Sequence, residues 1–139
     1  MELIANTLQT VENGANIQFT DEVVGGCNSI LHRAGSGLTT LRGITTQCRA
    51  RFKVFFSGNI AIPTGGTVEA ISVAISVNGE AVASTTMIQT PAAVEEFSNV
   101  ASAVYLDVPA GCCISIAVKN TSSQAIDVQN ANLIIERVA

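Results

Sequence analysis

The strongest constraint on this chain is a period of two. From Arg49 to Phe56 the sequence "RARFKVFF" places Ala50, Phe52, Val54 and Phe56 on alternate positions, with Arg49, Arg51, Lys53 and Phe55 between them. Successive side chains of a strand point to opposite faces, so this segment reads as a half-buried strand with one apolar and one basic face. The same alternation recurs along most of the 139 residues, and no segment shows a convincing helical period. The chain is therefore expected to be all-β and antiparallel, built as a sandwich or barrel.

Turn signals divide the alternation into strands. "ELIANTLQTV" and "ANIQFTDEVV" read as two strands around Asn13-Gly14. A short strand follows over 29–33, then "LTTLRGITTQ" with Gly43 as a bend, then a long run from Cys48 to Ile62 closed by Pro63 and Gly65-Gly66. Asn78-Gly79 between the alternating runs "VEAISVAISV" and "EAVASTTMIQT" is the clearest hairpin signal. "FSNVASAVYLDV", the turn "PAG" and "CCISIAVKN" come next, and after the polar loop "TSSQ" the chain ends on "AIDVQNANLIIERVA". No linker or repeat breaks the chain, so one domain over 1–139 is expected.

Composition bears on partners. Hydrophobic residues make up 47% and charged residues 13%, about half the usual charged share of roughly 25%. A monomer with so few charges would leave much apolar area in water, so an oligomer is expected. Three of the seven basic residues lie within 49–53, which raises the question of nucleic acid. The net charge is −4, and no further basic cluster with interleaved aromatics exists. The basic face is thus expected to be solvated or to lie at an interface, neutralised by nearby acids among the chain's eleven or, in an oligomer, by acids of a neighbouring subunit. No secretory signal is evident and no apolar run reaches the roughly 20 residues of a membrane helix, so the expectation is a soluble protein made in the cytosol, with neither nucleic acid nor membrane as partner.

No residue set points to catalysis, a cofactor or a metal. His32 is the sole histidine, and its neighbours form no nucleophile elbow. Glu95-Glu96 and Asp21-Glu22 are adjacent carboxylates, which on a strand diverge and beside one are usually only solvated. Cys27, Cys48, Cys112 and Cys113 lack zinc-ligand spacing. They read as small apolar residues filling the core as thiols, with a Cys27–Cys48 disulfide as the sharper alternative among three pairings.

The segment from about Ala50 to Ala139 resembles the jelly-roll module shared by tumour necrosis factor, the complement globular heads and collagen-like spore-surface proteins. The residues that carry the likeness are "RFKVFFSGNIAI", the hairpin "ISVAISVNGEAVASTT", the passage "VYLDVPAGCCISIAVKNTS" and the closing strand "NANLIIERVA". Many such modules have an acid after the Ala-Gly turn, where this chain has Cys112; no ligand site is carried over. The resemblance implies a TNF-like two-sheet jelly roll of about 8–10 strands. Residues 48–139 would form its best-matching core, and residues 1–47 would add N-terminal strands, possibly exchanged with a neighbouring subunit.

It further implies a homotrimer serving as a rigid outer head. Similar modules occur among tailed-phage head-decoration, fibre and tail proteins. The leading expectation is therefore a non-enzymatic virion structural protein, made in the host cytoplasm and set beside proteins such as the major capsid protein. Arg49, Arg51, Lys53, Phe55 and Tyr105 are the candidate subunit or partner contacts. The second expectation is a bacterial or spore surface module that recognises a glycan or receptor, although its loops "NTSSQ", "PTGG" and "AGSG" are small and polar.

Overall fold

A computed structural model describes residues 1–111 and 113–139. Two antiparallel sheets face one another. The first runs β10 (Ser98–Pro109), β6 (Arg49–Ala61), β12 (Ile126–Arg137), β1 (Glu2–Ala5) and β3 (Asp21–Val24), with β2 (Gln9–Val11) also paired to β12. The second runs β4 (Ile30–His32), β5 (Thr39–Arg42), β11 (Cys113–Asn120), β7 (Ile71–Val77) and β8 (Glu80–Ala81), with β9 (Met87–Gln89) also paired to β7. β1 and β2 share one neighbour, and so do β8 and β9. Counting each broken pair once reduces twelve segments to ten strand lines, within the range expected.

The core lies between the sheets. β6 contributes Ala50, Phe52, Val54, Phe56 and Ile60, all with no exposed surface. Leu3, Leu133 and Ile135 join them from the flanking strands, and Leu41, Ile71, Ile75 and Val118 come from the opposite sheet. The alternation that predicted a half-buried strand is thus realised along β6 from Arg49 to Ile60, and only Ala61, buried like its neighbour, departs from it.

Two connections differ from the sequence reading. The Asn13-Gly14 turn is real, with Gly14 at φ 79° and Ala15 N–H donating to Glu12 O at 2.9 Å. It does not close a hairpin, because β2 pairs with β12 and β3 pairs with β1. The chain after Gly14 crosses to the second sheet, where Ile17 N–H donates to Val118 O at 2.8 Å. Ile17 and Phe19 are fully buried there. The Asn78-Gly79 turn does join paired strands, but β8 is only two residues long. A 3₁₀ turn over Ala83–Thr85 interrupts it, and Thr85 Oγ1 accepts Ile75 N–H at 2.9 Å in place of a strand carbonyl.

The three described cysteines do not fill the core as the sequence suggested. Cys27, Cys48 and Cys113 are exposed, and Cys27 and Cys48 are unbridged; Cys112 lies outside the described residues. Cys27 follows the Gly25-Gly26 loop and Cys48 precedes β6, so both fall on connections rather than on inward strand positions.

Candidate functional face

The outer face of β10, β6 and β12 is set by register. Tyr105 and Glu136 lie opposite Lys53, Ala103 and Ile134 lie opposite Phe55, and Asp107 lies opposite Arg51. Further along, Ser57 opposes Ala101 and Asn132, and Asn59 opposes Asn99. The face therefore has three zones in strand order: a charged row, a small apolar centre and a polar ladder. In the ladder Asn99 Nδ2 donates to Asn59 Oδ1 at 3.2 Å, and Asn59 Nδ2 to Asn130 Oδ1 at 3.4 Å.

All five residues singled out from sequence share this face. Tyr105 is 63% exposed and Ile134 is 38% exposed, flanking the half-buried Phe55. Lys53, Phe55, Ile134 and Glu136 line a hollow of about 170 Å³. Arg51, Tyr105, Asp107, Val138 and Ala139 line a second, of about 460 Å³.

Of the two sources of acid the charge pattern left open, this chain or a neighbouring subunit, the chain itself supplies the one that opposes the arginines. Arg51 Nε donates to Asp107 Oδ1 at 2.8 Å and its Nη2 to Oδ2 at 3.2 Å, while Arg49 Nε stands 3.2 Å from Oδ2. The Arg51 guanidinium, through these hydrogen bonds and its charge, holds the Asp107 carboxyl below its usual range, with Arg49 adding to the effect. Asp107 in turn raises Arg51. Asp107 is the sole acid of β10, so its parity with Arg51 was readable only once the register was known.

Other sequence candidates lie elsewhere. His32 sits between Thr39 Oγ1 and Phe19 O, each 3.2 Å from a ring nitrogen. A carbonyl only accepts, so Nε2 donates to Phe19 O, and the histidine fastens the 15–20 crossing to β4 and β5. Glu95 has φ 59° and accepts a hydrogen bond from the Thr64 hydroxyl, closing a turn. Asp21 and Glu22 lie on the exposed edge strand β3. Among the described residues no group of three or more His, Cys, Asp or Glu could hold a metal ion, and no helix is long and apolar enough to cross a membrane.

The Cys27 thiol has a lowered pKa. Burial pushes it up, but the Ser29 N–H and hydroxyl outweigh this, with a smaller contribution from Arg137, and the net direction is down.

No family profile matches the chain, and no curated protein is similar to it in sequence. Solved structures are similar in shape. A tumour necrosis factor, Eiger from S. frugiperda, superposes with a TM-score of 0.69 at 13% identity, over 100% of this chain and 92% of that one. Murine APRIL at pH 8.5 gives 0.62 at 10% identity, over 97% of each chain. The globular domain of zebrafish complement 1qA gives 0.61 at 9% identity, over 96% and 93%. The fold is a TNF-like jelly roll. At these identities the likeness establishes the fold alone. Within that jelly roll, the charged, apolar and polar zones described above belong to this chain's own sequence.

Proposed function

We propose that this jelly roll is a non-enzymatic structural module. It assembles as a homotrimer through the outer face of β10, β6 and β12, and stands on a virion surface as a capsid decoration, head fibre or tail component. The observation that carries the reading is the apolar centre of that face, where Tyr105 and Ile134 stand exposed around Phe55. Large apolar side chains grouped on one sheet face favour burial against another chain, and a buried aromatic anchor contributes about 2 kcal/mol or more. The charged row is already neutralised internally by Asp107 at one point, which lowers the cost of covering it. The virion setting, with a major capsid protein as neighbour, rests on the resemblance of the sequence to phage head and fibre modules.

Sedimentation equilibrium of the purified chain in high salt tests the assembly. A mass of three chains at micromolar concentration is expected, and a persistent monomer overturns it. Mass spectrometry of purified particles, with the chain expected as a stoichiometric component, tests the setting.

A second reading has its own observation. Tyr105 stands beside the hollow that Arg51 and Asp107 share, and an exposed ring next to bidentate hydrogen-bonding groups suits a sugar ring. A glycan-binding module on a bacterial or spore surface would use the same face uncovered. Binding to a glycan array that is lost in Tyr105→Ala, by a chain that remains monomeric, favours this reading over assembly.

A further inference from the structure

The outer face of the first sheet carries an aromatic projection at one margin and a hollow towards the other. β10 is the edge strand, and the Tyr105 ring on it is exposed. The hollow, of about 430 Å³, lies where β12 and β1 meet the 25–27 loop that follows β3. Met1, Val24, Ile30 and Ile134 form its apolar walls, and Cys27 and Glu136 also line it. Val24 is exposed, so that wall stands uncovered in the single chain. Ile134 and Glu136 also line the hollow of about 170 Å³ beside Phe55, so the larger one opens from the same surface.

Register sets the two at one level along the strands. Tyr105 lies opposite Lys53, and Lys53 lies opposite Glu136. Two residues back along β12, Ile134 lies opposite Glu2, which pairs in turn with Val24 of β3. From β10 the strand order places β1 three steps away and β3 four, a lateral offset of roughly 15–20 Å at about 4.8 Å per step. Ring and hollow are thus displaced across the sheet but not along it.

We propose that the Tyr105 ring of one copy seats in this hollow of the next. The seating rests on the trimeric reading above and names the residues that meet. Around a threefold axis a residue away from the axis cannot meet its own copy, so a closed ring joins two different patches of each chain. A rotation axis running along the strands moves every residue sideways and keeps its level, and Tyr105 and the hollow share a level. The occupant is a second copy because one face supplies both parts, with the offset that such a rotation needs. The fit is also chemical. A buried tyrosine sets its ring against apolar side chains and gives its hydroxyl a partner. Val24 and Ile134 provide the apolar walls, and the Glu136 carboxylate accepts from the hydroxyl.

Disulfide trapping tests it, because Cys27 lines the hollow. In Tyr105→Cys, with oxidised glutathione present, one thiolate takes a glutathionyl sulfur and releases glutathione. The facing thiolate then displaces the second glutathione and closes a disulfide between chains. Covalent dimers and trimers are expected on non-reducing gels. They are expected to vanish in Tyr105→Cys/Cys27→Ser, which keeps the other three cysteines. Iodoacetamide labelling of the unaltered chain, read by peptide mapping, gives a second measurement. Cys27 is expected to react about tenfold more slowly in the trimer than in the Tyr105→Glu/Ile134→Glu monomer, with Cys48 unchanged. Sedimentation equilibrium reads the assembly separately. The seating is overturned, with the assembly left standing, by a Tyr105→Cys trimer that does not link or links equally without Cys27. Equal labelling of Cys27 in trimer and monomer overturns it in the same way. A persistent monomer overturns seating and assembly together. So does protection of Cys27 in a monomer by a small molecule or foreign chain seen in native mass spectrometry, because the hollow then has another occupant.

Discussion

Asn120 has no exposed surface, yet it satisfies its whole amide. Its Nδ2 donates to Val11 O, Glu12 O and Gln124 O at 2.9–3.3 Å, and its Oδ1 accepts Ser122 N–H at 2.9 Å. Removing it strands several buried carbonyls, so Asn120→Ala is expected to lower unfolding free energy by about 2–3 kcal/mol in urea titration. Asp107 acts at the surface and through pH. Arg51 and Arg49 hold its pKa below the ordinary aspartate value, so its contribution is fully present above that value and fades as pH falls through the lowered one. Asp107→Asn is therefore expected to flatten the stability profile below about pH 4 and to leave its shape near neutrality unchanged, as acid titration by circular dichroism would record. Sequence alone exposed the basic partners of this pair, because Arg49 and Arg51 stand in a visible alternation. It did not expose Asp107, 56 positions away from Arg51, because pairing across strands depends on register and no local pattern encodes it.

At the scale of elements, β6 was legible from end to end because both periodicity and apolar content agree along it. Its one irregularity is Gly58, where an added Cβ would meet Phe56 Cζ at 2.9 Å and Ala131 Cα at 3.5 Å. The Phe56 ring is fully buried and has no room to retreat. Gly58→Ala is expected to cost about 1–3 kcal/mol by thermal denaturation, although alanine suits a strand better than glycine on an open surface. The misread elements are the ones whose neighbours are distant in sequence. Residues 15–20 alternate as a strand would, but their partner is β11, so local reading assigned them to a hairpin with β2. β8 was expected to run the length of β7, and the Thr85 hydroxyl replaces the missing ladder instead.

For the whole molecule, a sandwich or barrel was legible from the alternation and its turns, and the jelly roll from the resemblance of residues 50–139 to that module. The outer face of β10, β6 and β12 is where the proposed subunit contact is most exposed to test. Tyr105→Glu together with Ile134→Glu adds two carboxylates to the apolar centre without touching the core. The double variant is expected to keep its β-sheet circular dichroism and to sediment as a monomer in high salt.

The place of β12 has a consequence for biogenesis. It is inserted between β6 on one side and β1 with β2 on the other, so the earliest and the middle strands meet only through it. A ribosome-bound chain that has not yet released residues up to Arg137 holds those partners with their ladder edges bare. Compaction must then wait until β12 has emerged, and every nascent copy passes through an interval in which chaperones, not neighbouring strands, guard its apolar faces.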